Sequence, residues 1–138
     1  MKTVVVTGGS RGIGAAAVAR FAARGDRVYF LYEKEHAAAD AVARSTGATA
    51  ICCDVADGKA VQDAFRKIPD VDVLICNAGI CHSGLIQDIS EDAWDRLFDV
   101  NVKGISLTAR SLPSGNTPII GLRTAEDNVQ KPGLLRTR

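Results

Sequence analysis

Eight residues near the amino terminus, Thr7-Gly8-Gly9-Ser10-Arg11-Gly12-Ile13-Gly14, stand between an apolar run at Thr3 to Val6 and an alanine-rich stretch from Ile13 to Ala23. An extended segment that turns straight into a helix through this many glycines has few structural options. Cβ atoms obstruct both the tight turn and the approach of an anion, and the helix start then offers its first N–H groups to that anion. Gly8, Gly12 and Gly14 fit those needs, so the spacing predicts a loop that cradles a pyrophosphate. The alternative is a tight strand-to-helix turn that binds nothing.

The rest of the chain repeats this alternation. Strand-like runs at Thr3 to Val6, Arg27 to Tyr32, Ala48 to Cys53 and Val71 to Cys76 alternate with helix-like stretches at Ile13 to Ala23, His36 to Arg44, Lys59 to Ile68 and Glu91 to Arg110. Short Val- and Ile-rich runs with little polar alternation suit strands covered on both faces, which predicts a parallel sheet with helical crossovers. Ser90 is placed to cap the last helix, and Trp94, Leu97, Phe98 and Ile105 recur at helical spacing, predicting one long amphipathic helix. Beyond Leu112, Pro113, Ser114, Gly115, Asn116, Thr117 and Pro118 break the pattern. This predicts an α/β domain over 1–112 and an irregular tail over 113–138, within which Ile119 to Leu122 is a weak candidate for a short replacement strand.

Composition excludes several classes. Seventeen Lys and Arg against sixteen Asp and Glu give a net charge of +1, with neither sign gathered into a block. That balance supplies no electrostatic footprint for nucleic acid or an anionic membrane. Glycines follow the first apolar residues too soon for a signal-peptide core or a membrane span, so a cytoplasmic location is expected. Four cysteines, at 52, 53, 76 and 81, are few for a disulfide scaffold and read as buried free thiols.

The Thr-Gly-x-x-x-Gly-x-Gly spacing resembles the short-chain dehydrogenase/reductase family. Asp54-Val55 after the third strand-like run, Asn77-Ala78-Gly79 after the fourth and Asn101-Val102-Lys103-Gly104 in the last helix resemble further family segments, in the family's order. The resemblance covers about residues 3 to 110 and is similar to the 3-oxoacyl-(acyl-carrier-protein) reductases. It implies a Rossmann-like doubly wound parallel sheet of strand order 3-2-1-4, incomplete because the later strands are missing. It also implies cofactor contacts at Gly8, Ser10, Arg11, Gly12, Ile13, Gly14, Asp54, Val55, Asn77, Ala78 and Gly79, with Asn101 in the catalytic site. Residue by residue, plainer readings stand beside these: Asp54 as a helix cap, Asn77 to Gly79 as an ordinary turn, Asn101 as a structural amide on an apolar stripe. In that strand order the third and fourth strands lie three spacings apart, roughly 14 Å. The two cysteine groups therefore cannot share one ion, and no metal is expected. Cys81-His82 is equally weak as a nucleophile pair, and His82 reads as facing the substrate side or water.

The cofactor implied is NADP, with NAD the alternative. Glu33, nineteen residues beyond Gly14, is the acidic candidate for ribose hydroxyls. Lined up with the family, however, the NAD-selecting acid falls at Tyr32, while Arg11 resembles the basic residue of NADP-preferring members and Lys34 adds a second cation. All three charges also read as solvated surface groups. The expected activity is hydride transfer to a carbonyl substrate, small or acyl-carrier-bound. The reductase of 5-aminopentanone-modified elongation factor P is an alternative with a similar amino-terminal half.

The family's Tyr-x-x-x-Lys is not found in these 138 residues. The tyrosines are Tyr29 and Tyr32, both in the second strand, and the residues four places on are Glu33 and His36. A frameshift or truncation accounts for this, with a natural divergent tail as the alternative. Impaired catalysis, an edge exposed on the fourth strand and a doubtful family homo-oligomer all follow. A non-catalytic nucleotide-binding fragment is the competing reading.

Overall fold

In the computed structural model, residues 1–112 and 117–121 are described. Of the expected tail over 113–138, residues 113–116 and 122–138, Leu122 among them, lie outside these. Five parallel strands form one sheet: β1 (Thr3–Thr7), β2 (Arg27–Tyr32), β3 (Thr49–Cys52), β4 (Val73–Cys76) and β5 (Ile119–Gly121), in the order β3-β2-β1-β4-β5. Helices α1 (Gly12–Ala23), α2 (His36–Thr46) and α3 (Gly58–Phe65) fill the first three crossovers. A 3₁₀ turn (Ile86–Asp88), α4 (Glu91–Phe98), a π-helical segment (Asp99–Lys103) and α5 (Gly104–Arg110) follow β4.

Side chains alternate across a strand, so β1 serves two cores at once. Val4 and Val6 pack with Val18, Phe30, Ala39 and Ile75 on the face covered by α1 and α2. Val5 packs with Leu31, Val61, Phe65, Leu74 and Val100 on the face covered by α3 and the last helix. Helices on both faces make the sheet doubly wound, as the uniformly apolar strands required.

Three expectations need correction. The sheet does not stop at β4: β5 pairs with it in parallel register, Leu74 with Ile119 and Cys76 with Gly121, so the edge that would have been β4 is covered. Leu74 N–H donates to Pro118 O at 3.0 Å and the Thr117 hydroxyl donates to Val71 O at 3.1 Å, drawing this part of the expected irregular tail onto the sheet. The long helix is also not uniform. Around Asn101 it widens into the π-helical segment, in which Gly104 N–H reaches Asp99 O, five residues back. Finally, the expected apolar stripe does not all face inward. Val100, Gly104 and Thr108 are buried, whereas Trp94, Phe98, Val102 and Ile105 are 44%, 49%, 58% and 41% exposed. The helix is apolar on two sides, and the π segment shifts the register between them.

Helix starts follow local chemistry. Asp57 caps α3 by accepting the N–H groups of Lys59 and Ala60, the role that Asp54 had been allowed, and Ser90 caps α4 through Ala93 N–H as expected. Beneath the glycine loop, space decides. A Cβ on Gly14 would lie 2.0 Å from Gly8 O and 2.5 Å from the Asn77 amide nitrogen. Gly14 is therefore required by packing within the loop, independently of any ligand.

Leu74 is fully buried at the centre of the sheet. Leu74→Ala is expected to lower unfolding free energy by about 2–5 kcal/mol in urea titration, the range for a buried leucine whose cavity does not collapse. Gly14→Ala inserts an atom where backbone oxygen already stands, and should cost about 3 kcal/mol by the same measurement, the upper end for overpacking.

Candidate functional site

At the carboxyl ends of β1, β2, β3 and β4 lies a cleft of about 670 Å³. It opens where the strand order reverses between β1 and β4, the position where open α/β sheets hold ligands. Each strand exit contributes one wall: Gly8, Ser10, Arg11, Gly12 and Ile13 after β1, Glu33 to Glu35 after β2, Asp54 and Val55 after β3, and Asn77 to Ile80 after β4. Val100 closes the far side from the π segment.

Hydrogen bonds between β1 and β4 fix the glycine loop. The Thr7 hydroxyl accepts the N–H groups of Asn77 at 3.0 Å and Ala78 at 2.9 Å. The Asn77 amide donates to Thr7 O at 3.1 Å and Gly8 O at 3.0 Å. Gly8 has φ of 68°, and a Cβ there would sit 2.9 Å from Ala78 Cα, so both conformation and close approach demand glycine. Asn77 and Ala78 thus clamp the loop to the end of β1. Thr7, 3% exposed, is an organising residue that sequence reasoning had counted only as part of the motif.

The start of α1 is bare. Arg11 occupies the N-cap position in extended conformation without a side-chain capping bond, and the first turn carries no acidic residue. The first bond of the helix runs from Ala15 N–H to Arg11 O at 3.1 Å, leaving the N–H groups of Gly12, Ile13 and Gly14 without an intrahelical acceptor. That end of the helix points its positive dipole at the cleft wall formed by Arg11, Gly12 and Ile13. An anion is the group such a surface accommodates.

Charge on the opposite wall is paired. Arg96, from α4, donates from Nη1 to Asp54 Oδ2 at 2.9 Å and from Nη2 to Glu33 Oε1 at 3.0 Å. Partial burial pushes the Asp54 carboxyl upward, but the Arg96 bond, the Ala56 N–H and the neighbouring Arg96 and Lys34 charges outweigh it and hold its pKa below the ordinary carboxylate value. The Asp54 bond in turn raises Arg96. Lys34 Nζ lies 3.7 Å from Glu33, and Arg11 Nη1 lies 3.7 Å from Glu35. No local sequence signal linked Arg96 to Glu33, 63 positions away.

Two expected site residues stand back from the cleft. Gly14 is buried under the loop. Asn101 sits in the π segment, where its Oδ1 accepts Ile80 N–H and its Nδ2 donates to Ile80 O, both at 2.8 Å. Both ends of its side chain are engaged in holding a cleft-wall residue, which meets the cost of an amide on a partly apolar face. His82 is exposed. Of the cysteines, Cys53 and Cys76 are buried but Cys52 and Cys81 are exposed, so only half fit the expected buried thiols. Burial raises the Cys53 thiol to about 11 and also raises Cys76.

Residues 2–114 match the family model described as short chain dehydrogenase. The chain is 44% identical to the cyclic-di-GMP-binding biofilm dispersal mediator protein of Escherichia coli (strain K12), covering 86% of this chain and 52% of that protein. It is 32% identical to a 3-oxoacyl-(acyl-carrier-protein) reductase of Staphylococcus epidermidis, covering 96% of this chain and 60% of that protein. Among solved structures, BdcA in complex with NADPH superposes with a TM-score of 0.80 at 41% identity over 87% of this chain and 50% of that one. A short chain dehydrogenase from Burkholderia cenocepacia J2315 in complex with NADP gives 0.81 at 36% identity over 87% of this chain and 54% of that one. The chain spans only about half to three fifths of the length of these relatives. With the glycine loop, the switch-point cleft and the sheet order all of one kind, the chain belongs to the short-chain dehydrogenase family.

Proposed function

We propose that this chain is the NADP-binding portion of an oxidoreductase that transfers a hydride to a carbonyl carbon. The observation that carries the reading is the bare start of α1 facing a roomy cleft through Gly12. That residue has φ of 57° and nothing within 4 Å of where a Cβ would stand, so the cradle has space for a phosphate at the place where a side chain would intrude. The cofactors named for two similar structures point the same way.

Gly8, Ser10, Gly12, Ile13 and the backbone around them would hold the pyrophosphate, with Asp54, Val55 and Asn77 to Gly79 flanking the adenosine. NADPH, when bound, supplies the hydride. Asn101 acts by position: it holds the Ile80 backbone and so sets the wall between cofactor and substrate, and the π segment around it is a distortion of the kind found at functional sites. The tyrosines present do not supply a proton relay. Both lie on β2, and burial, with the Cys52 and Asp40 charges, raises the Tyr32 phenol above its ordinary value, which makes it a poorer acid. The substrate class is a carbonyl compound, a 3-oxoacyl thioester by similarity to the staphylococcal reductase, with the modified elongation factor P as the alternative.

A second reading, a nucleotide-binding module without turnover, is favoured by the same placement of Tyr29 and Tyr32 and by similarity to the cyclic-di-GMP-binding protein of E. coli. No described helix is long and apolar enough to cross a membrane, and a cytoplasmic location is part of the proposal.

Titration of the chain with NADPH, NADH and cyclic-di-GMP, followed by fluorescence and thermal shift, separates the readings. NADPH binding that cyclic-di-GMP does not displace supports the oxidoreductase. Binding of the cyclic dinucleotide alone supports the module. Gly12→Ala should weaken NADPH at least about tenfold while costing only about 1–2 kcal/mol of stability for a left-handed residue. Unchanged affinity would place the pyrophosphate elsewhere.

A further inference from the structure

Arg96 is not part of the cleft lining, yet it is bonded to two carboxylates that are. Three cations, Arg11, Lys34 and Arg96, face three carboxylates, Glu33, Glu35 and Asp54, around one end of the cleft. Their exposure differs. Arg11 and Lys34 side chains are 77% and 80% exposed and each is 3.7 Å from its partner, whereas Arg96 is 36% exposed and sits within 3.0 Å of both of its partners. Two cations are thus loosely held at the mouth, and one is fixed behind the wall.

Glu33 occupies the exit of β2, the place where dinucleotide sites read the adenosine ribose: a carboxylate there accepts the hydroxyls of NAD, and a cation accommodates the 2′-phosphate of NADP. An uncompensated Glu33 would repel a phosphate carrying nearly two negative charges and welcome a ribose diol instead. On the dinucleotide reading above, on which this inference rests, we propose that Arg96 is a positioning residue that sets cofactor preference: anchored on Asp54, it holds Glu33 and so removes that carboxylate's selection for NAD, and it leaves Arg11 and Lys34 to engage the 2′-phosphate. The preference is encoded by a helix more than sixty residues downstream of the strand exit it controls.

Arg96→Met keeps an apolar stem and deletes the charge. In paired titrations of the full chain with NADPH and NADH, the preference for NADPH should fall roughly five- to tenfold at low salt, consistent with exposed ion pairs acting on a doubly charged group. The difference should shrink toward nothing at about 1 M salt, where the screening length is about 3 Å. Adding Glu33→Gln to Arg96→Met should return the preference to within about twofold of the original chain, because the two sites are directly coupled. A merely structural Arg96 would weaken both cofactors equally, leave their ratio fixed and show no rescue, and that result overturns the inference. If Arg96→Met does not fold by circular dichroism, Arg96→Gln, which deletes the charge but can still hydrogen-bond the two carboxylates, decides: an NADPH preference lowered about threefold supports the inference, and an unchanged one overturns it. If the unmodified chain binds neither cofactor, the dinucleotide reading itself fails and this inference with it, whereas firm NADPH binding with a fixed ratio across all variants defeats only the role of Arg96.

Discussion

The contact on which the rest of the site depends is the one between Thr7 and Asn77. The ends of β1 and β4 are neighbours in the sheet, and four hydrogen bonds between these two residues, Gly8 and Ala78 convert that adjacency into a fixed loop. Each is worth about 1 kcal/mol net, but leaving any of the half-buried groups unpaired would cost more. Gly14 then packs directly over Gly8 O and the Asn77 amide, so the start of α1 is held at a set distance from the strand exits. The cleft is the space left once these atoms are in place.

Much of this was legible from residue patterns, for a physical reason. A strand buried on both faces must be apolar throughout, and a loop that must approach backbone and anion closely must be glycine-rich, so β1, β4 and the loop after β1 announce themselves locally. The readings that failed involve competition between remote segments. The short replacement strand expected within Ile119 to Leu122 does form, as β5 over Ile119–Gly121; what failed was the exposed edge expected on β4, because the partner of three exposed residues is decided only in the fold. The apolar residues of the last helix lie on two sides, and periodicity cannot say which side meets the sheet. Asp57, directly before α3, caps it, while the Asp54 carboxylate is taken up by Ala56 N–H and Arg96.

The same distinction runs through the cleft itself. Ten of the eleven cofactor residues expected from the motifs lie in its lining, because each follows a strand end by one to six positions. Arg96 was invisible: it is one more charged residue on a solvated helix until the chain folds it against the exits of β2 and β3. Electrostatic arrangement is therefore carried by tertiary structure, whereas shape is carried by local sequence.

The adjacent thiols of Cys52, the last residue of β3, and Cys53, just beyond it, illustrate what one step along the chain does to chemistry. Cys52 is exposed and donates to Glu33 O at 3.3 Å; Cys53, its neighbour, is buried, 4% exposed, and raised to about 11. At neutral pH the second thiol is almost wholly protonated and shielded, and an alkylating reagent meets only the first. The pair forms an internal gauge of breathing at the β3 edge of the sheet: Cys52 reports collision with reagent, and Cys53, whose N–H donates to Tyr32 O at 2.7 Å, reports how often the chain just past β3 lets go of β2.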